Sequence, residues 1–289
     1  MGLFGASRGE MTVRAIVPAD VSKLLRLIDT AWRIHLRISP EELRSKLNRA
    51  AGFLAEDQVG LRGFMIVEPR QTQVAAIVAA GLRDTWSVKP YLDVLLPEIE
   101  RTMLSRRLRS LIYIGDTPWL VDELQRRGFE IREWIVAFER LGVKPPAEPV
   151  LTPAVIRTAH SSDLAALTTL DTLAFDYIWH MTISNFREAL ARASSFAVAI
   201  ADGQIVAYEW CELYGQHAHL TRLAVHPDFQ GRGVGAQLLY QAIMDALLQG
   251  ANLITLNTQE HNQRSQALYQ RFGFERTPER MPILWKRLG

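Results

Sequence analysis

The chain has 289 residues, 48% of them hydrophobic and 22% charged, with a formal net charge of +2. That length favours two cores of roughly 140 residues over one, and the near-neutral charge gives no reason to expect nucleic acid or a membrane surface as a partner. A single cysteine, Cys211, excludes an intramolecular disulfide, and no apolar run reaches the ~18 residues of a membrane-crossing helix.

In chain order, the opening "MGLFGASRGE" lacks the apolar core of a signal peptide, and Ala6 breaks the myristoylation pattern. It reads as the loose tail of a cytoplasmic protein. From Val13 a short strand leads into a helix capped by Asp20, and a second helix follows. Next come the β-rich runs "GFMIVEP" and "QVAAIVAAGL", a long amphipathic helix, the strand "LIYIG", a helix ending at the Gly-Phe of "RRGFE", and a last strand. The proline-rich stretch "LGVKPPAEPVLTP", residues 141–153, reads as a linker.

After it the order repeats. "IRTAHSSDLAALTTL" matches "VRAIVPADVSKLLRL" at an offset of 143, setting Arg157 against Arg14, Asp163 against Asp20, Leu167 against Leu24 and Ala174 against Ala31. Here the helix cap is read as Ser162. The runs "SFAVAIAD", "QIVAYEWCEL" and "HAHLTRLAV", a long helix, "LITLNT" and the Gly-Phe of "RFGFE" follow in step. The chain is therefore expected to be a duplicated α/β (α+β) protein, each unit a central sheet flanked by helices. The expected boundaries are 11–140 for the first domain and 154–289 for the second.

The junction "VHPDFQGRGVGAQLL" places Gly231, Gly233 and Gly235 on alternate positions between a strand ending at Val225 and a helix beginning near Val234. Glycine serves where φ is positive or where a group must approach the backbone, and a helix N-terminus offers free N–H groups and positive potential. Such a loop suits a phosphate or pyrophosphate. Gly231, Gly233 and Ala236 also fit the dinucleotide pattern G-x-G-x-x-G/A, with Glu260 as a ribose ligand. Against NAD, His226 to Gln230 separate the strand from the first glycine, and only two strands remain after it.

The window "LAVHPDFQGRGVGAQLL" resembles the acetyl-CoA signature of the GNAT N-acetyltransferases, Q/R-x-x-G-x-G/A, through Gln230, Gly233 and Gly235. "NQRSQALYQRFGF" resembles the second motif of that family through Asn262, Ala267, Tyr269 and Gly273-Phe274. The resemblance covers residues 154–288 well and 11–140 faintly, and the tandem arrangement is similar to that of mycothiol synthase and its relatives. It implies a mixed, mostly antiparallel sheet in each unit and acetyl-CoA as donor. Leu223, Ala224 and Val225 would meet the pantetheine, and Gln230, Gly231, Arg232, Gly233, Val234, Gly235 and Ala236 the pyrophosphate, with Asn262 and Tyr269 completing the site.

It further implies direct attack by a primary amine in a ternary complex, with Tyr269 as proton donor to the leaving thiolate. Relatives carry a glutamate where this chain has His219, so His219 is a candidate base, with Glu209 and Glu212 as alternates on the neighbouring strand. Relatives that acetylate protein N-termini carry a glutamate where this chain has Asn257. The segment "LAFDYIWHMT", similar to that of ribosomal-protein N-terminal acetyltransferases, offers Asp176, Tyr177 and Trp179 to a cationic amine on a small molecule or peptide. In the first unit Leu124 stands at the place of Tyr269 and Thr117 at that of Asn262, and no glycine lies between Gly81 and Gly115. That unit is expected to be a degenerate copy without a cofactor loop. A non-catalytic acyl-CoA-binding module is the other reading. His217 and His219 have no third ligand at zinc spacing, so no metal is expected.

Overall fold

The computed structural model describes residues 11–39, 42–43, 50–70, 73–85 and 87–289. The expected tail at 1–10 lies outside them, as does most of the segment where a second helix of the first unit was expected. Two compact units emerge: Met1–Glu133 with Met281–Gly289, and Trp134–Arg280.

In the first unit, β1 (Thr12–Ala15), α1 (Val21–Thr30) and β2 (Arg33–Leu36) precede the antiparallel run β3 (Ala51–Asp57), β4 (Gly60–Pro69) and β5 (Val74–Leu82). Then come α2 (Val88–Ser105), β6 (Ser110–Ile114) and α3 (Pro118–Gln125). The sheet runs β1-β3-β4-β5-β6, with only β5 and β6 parallel. Leu92, Leu95, Ile99 and Met103 of α2 meet Met65, Val67 and Ile77 of the sheet in one core.

The second unit repeats this with β8 (Val155–Thr158), α4 (Leu164–Ala174), α5 (Ile183–Arg192), β9 (Ser195–Ala201), β10 (Gln204–Tyr214) and β11 (His217–Val225). After these come α6 (Val234–Leu248), β12 (Leu253–Gln259) and α7 (Gln263–Arg271). The order is β8-β9-β10-β11-β12, again with one parallel pair, β11 and β12. Helices α6 and α7 cover one face and α4 and α5 the other.

The last strand of each sheet comes from the other half of the chain. β7 (Glu130–Leu141) pairs through Ile135–Leu141 with β12, and β13 (Glu275–Arg287) pairs through Ile283–Arg287 with β6. This differs from a cut at the proline-rich linker: residues 134–141 belong with the second unit and 281–289 with the first. The physical reason is that a strand's neighbour is chosen by edge pairing, which sequence order does not dictate. The linker itself is anchored. Thr152 donates its N–H (3.2 Å) and hydroxyl (2.6 Å) to the Gln237 amide oxygen on α6.

The duplication is visible atom by atom. Arg14 grips both carboxylate oxygens of Asp20 at 2.7 and 2.8 Å, and Arg157 grips those of Asp163 at 2.7 and 2.9 Å. Each aspartate also accepts the N–H of the residue three before it, Val17 or His160. The N-cap of α4, expected at Ser162, is Asp163, whose carboxylate makes no capping bond to the helix and instead takes the His160 N–H and the Arg157 guanidinium together. A second shared feature is a β-bulge. In β5, Ala79 opposes Ile66 and Ile77 opposes Val67, leaving Val78 extra; in β11, Arg222 opposes Trp210 and Leu220 opposes Cys211, leaving Thr221 extra. The two bulges lie at the same offset of 143, and a bulge bends its strand away from the ladder.

The freed edges then diverge. β11 pairs with β12 only from His217 to Leu220, and Thr221–Val225 have no strand partner on that side among the described residues. β5 pairs with β6 only from Val74 to Ile77, but β2 takes the remaining edge, Leu36 to Arg33 against Ala79 to Leu82. No helix among the described residues is long and apolar enough to cross a membrane.

Candidate active site

The open edge of β11 forms one wall of a cleft of about 460 Å³. Leu223, Ala224 and Val225 line that wall, Gln230, Gly231, Gly233, Gly235 and Ala236 the end of the cleft, and Asn262 and Tyr269 the α7 side. Of the residues expected to hold a cofactor, only Arg232 and Val234 stay out of the lining. Arg232 stands 5.1 Å from the Phe229 ring centre, and Val234 is buried beneath.

The glycines answer to geometry. Gly231 and Gly233 have φ of 81° and 88°, in the left-handed region where a side chain is strained. A Cβ on Gly231 would lie 2.8 Å from an Arg264 guanidinium nitrogen, and one on Gly233 would lie 3.0 Å from Thr152 Cγ2. Gly235, in the first turn of α6, lets that turn approach Val225, whose Cγ2 would be 3.2 Å from a Cβ. Gly233 is the N-cap of α6 with no side chain capping the turn, and the first helical bond runs from the Gln237 N–H. The N–H groups of residues 234–236 are left for an anion, in the positive end of the helix dipole.

Helix α7 is capped by Asn262, whose side chain accepts the Ser265 N–H at 3.1 Å. Its Arg264, Ala267, Leu268 and Arg271 line the cleft at i, i+3, i+4 and i+7. Arg264, Leu268 and Arg271 are not among the expected site residues, although their helical spacing in "NQRSQALYQR" carries that signal. Arg264 donates to Gln230 Oε1 at 2.8 Å, and Gln230 donates to the Val225 carbonyl at 3.1 Å. The lining holds these two arginines and no carboxylate. Tyr269 packs 6.0 Å from Phe138 and 6.1 Å from Phe274, centre to centre. Burial pushes its phenol up to about 12, with a partial offset from Ser265, so it is protonated at neutral pH.

The candidate bases lie elsewhere. His219 and His217 share the Thr255 hydroxyl, His219 Nδ1 at 2.8 Å and His217 Nε2 at 2.7 Å. Burial lowers the His219 pKa, His217 lowers it further, and Glu212, its partner across β10, opposes them. Glu212 accepts the Tyr214 hydroxyl. Glu209 is fully buried on the opposite face from His219, accepting the Ser195 hydroxyl at 3.0 Å and standing 3.7 Å from Cys211 Sγ. Neither histidine nor either glutamate lines the cleft.

On the acceptor side, Asp176, Tyr177 and Trp179 sit in a turn after α4 whose neighbours Ala174 and Phe175 do line the cleft. An ion pair not foreseen from the sequence holds this turn. Buried Asp171 accepts from the Tyr208 hydroxyl (2.5 Å), Arg222 Nε (2.8 Å) and the Met181 N–H (2.7 Å). Arg222 also donates to the Trp179 carbonyl at 2.7 Å and lies 3.8 Å over the Phe175 ring. Among the described residues no group of three or more His, Cys, Asp or Glu is placed to hold a metal.

Comparison with known proteins agrees with this geometry. Residues 164–274 match the family model described as the acetyltransferase (GNAT) family. The chain is 30% identical over 149 residues to the L-amino acid N-acyltransferase MnaT of Escherichia coli, covering 46% of this chain and 86% of that protein. The chain belongs to the GNAT acetyltransferase family. It is 22% identical over 244 residues to the mycothiol acetyltransferase of Acidimicrobium ferrooxidans, covering 78% of this chain and 74% of that one. Along 97% of its length it superposes on a tandem GNAT protein from the clavulanic acid biosynthesis pathway, with a TM-score of 0.65, 13% identity and 99% of that chain covered. This GNAT protein is thus an N-acetyltransferase with two family units in tandem.

Proposed function

We propose that the second unit transfers an acetyl group from acetyl-CoA to the primary amine of a small molecule or peptide, by direct attack in a ternary complex. The observation that carries this reading is that the glycine loop, the freed edge of β11 and Tyr269 line one cleft. The loop suits the donor: a side chain at Gly231 would crowd Arg264 in the cleft lining, and the uncapped first turn of α6 leaves N–H groups for a pyrophosphate. Bound there, the donor supplies an acyl thioester.

The protein's own part is then binding, orientation and two proton movements. Loop N–H groups and Arg264 hold negative charge, and the β11 backbone at Leu223 and Val225 offers hydrogen bonds to amides. Tyr269, kept protonated by burial, donates its proton toward the leaving sulfur. His219, outside the cleft lining and held neutral by its lowered pKa, takes the proton of the incoming ammonium through a water. With the Thr255 hydroxyl donating to His217 and accepting from His219 Nδ1–H, the lone pair of His219 is on Nε2. Asp176 and Glu212 supply charge, and Tyr177 and Trp179 ring faces, for a cationic acceptor. The first unit, with its equivalent edge occupied by β2, supports the fold without binding donor.

Titration calorimetry with acetyl-CoA and with NAD tests the donor. One acetyl-CoA site per chain is expected, lost in Gly233→Trp; silence with acetyl-CoA would sink the reading, and binding of NAD instead would revive the dinucleotide alternative. In an amine screen, Tyr269→Phe should lower kcat by about 100-fold or more. Donor binding without turnover on any amine would favour a non-catalytic module.

A further inference from the structure

The two units begin from nearly the same design and end with one edge closed and one open. At the offset of 143 that the bulges share, β2 of the first unit, Arg33–Leu36, corresponds to Asp176–Trp179 of the second. The first segment is a strand on the freed edge of β5, and the Arg37 N–H extends it with a 2.8 Å bond to the carbonyl of the bulge residue, Val78. The second segment is a 3₁₀ turn, Tyr177–Trp179, and leaves the freed edge of β11 unpaired.

The same alignment shows what differs beneath these segments. Asp171 corresponds to Ile28 and Arg222 to Ala79. By ladder position rather than by that offset, Tyr208, opposite Ala224, matches Phe64, opposite Gly81. The three members of the buried polar cluster are thus all apolar in the first unit, where the segment is laddered to β5 instead. In the second unit Arg222 spends one N–H on the Trp179 carbonyl and stacks on Phe175, while Asp171 takes the Met181 N–H at the far end of the turn. His180 donates to the Phe175 carbonyl at 2.9 Å and closes the turn on itself. A backbone whose carbonyls and N–H groups are already used this way cannot also ladder with β11. The buried carboxylate keeps the guanidinium in place, since either alone would be an unpaired buried charge.

We infer that Arg222 is a positioning residue: with Asp171 and Tyr208 it holds residues 176–179 as a turn and thereby keeps the donor edge of β11 open. Released from it, the segment adds to β11 as a third strand-like partner, as β2 does on β5, and closes the cleft. This assigns the difference between an open and a closed unit to three side chains.

The test converts the second unit to the first unit's residues, Asp171→Ile with Tyr208→Phe and Arg222→Ala, which removes the ion pair as a whole and leaves no orphan charge. Full-length wild type and variant are compared by hydrogen exchange at the amides of residues 222–225 and by acetyl-CoA titration. The exchange readout does not depend on which donor the cleft takes. Slower exchange at 222–225, with acetyl-CoA affinity lower by about 10-fold or more if the closed form dominates, is the expected result. Unchanged exchange, or faster exchange at both 222–225 and 175–181, would overturn the inference whatever the titration shows. If the triple variant does not fold, Arg222→Lys decides: it keeps a charge for Asp171 but loses the fork that reaches Trp179, so exchange at 222–225 must still slow. A wild type that binds no acetyl-CoA while the exchange shift appears would refute the donor assignment and leave Arg222 in its role.

Discussion

Glu209 shows how a side chain of plausible chemistry can be committed to structure. It was a reasonable alternate base by its place on β10, yet its carboxyl lies under α6 with Ser195, whose hydroxyl also reaches Asp245 at 3.3 Å. Burial, with Asp245 adding to it and Ser195 opposing, pushes Glu209 up to about 8 from an ordinary 4.5. Between those two values the folded chain keeps a proton that the unfolded chain releases, so stability falls as pH rises from 4.5 to 8 and levels off beyond. Thermal melts of the second unit should drop by about 10 °C more from pH 5 to pH 8 in wild type than in Glu209→Gln. Parallel pH slopes in the two proteins would show that Glu209 is ionised in the fold. The alternation of β10 places Tyr208 and Trp210 in the α4/α5 core and sends Glu209 and Cys211 to the other face.

Helix α7 carries the clearest element-scale prediction. Its cleft-facing stripe puts Arg264 against the glycine loop with a neutral amide oxygen, that of Gln230, as its hydrogen-bond acceptor. A guanidinium beside free helix N–H groups is suited to phosphate. Arg264→Ala should therefore weaken acetyl-CoA binding by about 10-fold, while binding of acetyl-pantetheine, which lacks the phosphates, stays level. The affinity of the variant should also fall less steeply with added salt. Equal loss for both ligands in titration would mean that Arg264 only shapes the helix. The Gly-Phe ends of α3 and α7 belong to this scale too: Gly128 and Gly273 have φ of 84° and 82°, the left-handed C-terminal stop that "RRGFE" and "RFGFE" announce.

At the scale of the whole molecule, the exchange of closing strands makes each sheet depend on a distant part of the chain. Ile283, Leu284 and Leu288 are buried in the first unit, and each contributes about 2 kcal/mol by burial. Ending the chain after Arg280 should leave β6 without its partner and abolish the cooperative melt of the first unit, with rapid proteolysis of residues 88–125 as the readout. Retention of a protected first unit would show that β13 is dispensable. Domain boundaries drawn at the proline-rich stretch would cut both sheets in the wrong place for expression of either half.

Local signals settled much by themselves. Periodicity and turn residues marked the elements, the offset of 143 between Arg14–Asp20 and Arg157–Asp163 marked the duplication, and alternate glycines marked a strand-to-helix turn with positive φ at Gly231 and Gly233. Each of these is a property of residues within a few positions of one another, so each can be read along the chain. The tertiary structure alone decided which strand closes which sheet, where Glu209 points, how His217 and His219 share Thr255, and which freed edge stays open. Those outcomes are choices among partners far apart in sequence. Two edges bent by the same bulge compete for similar segments, and the winner depends on a buried ion pair assembled from residues 171, 208 and 222, whose contacts exist only once the sheet has formed.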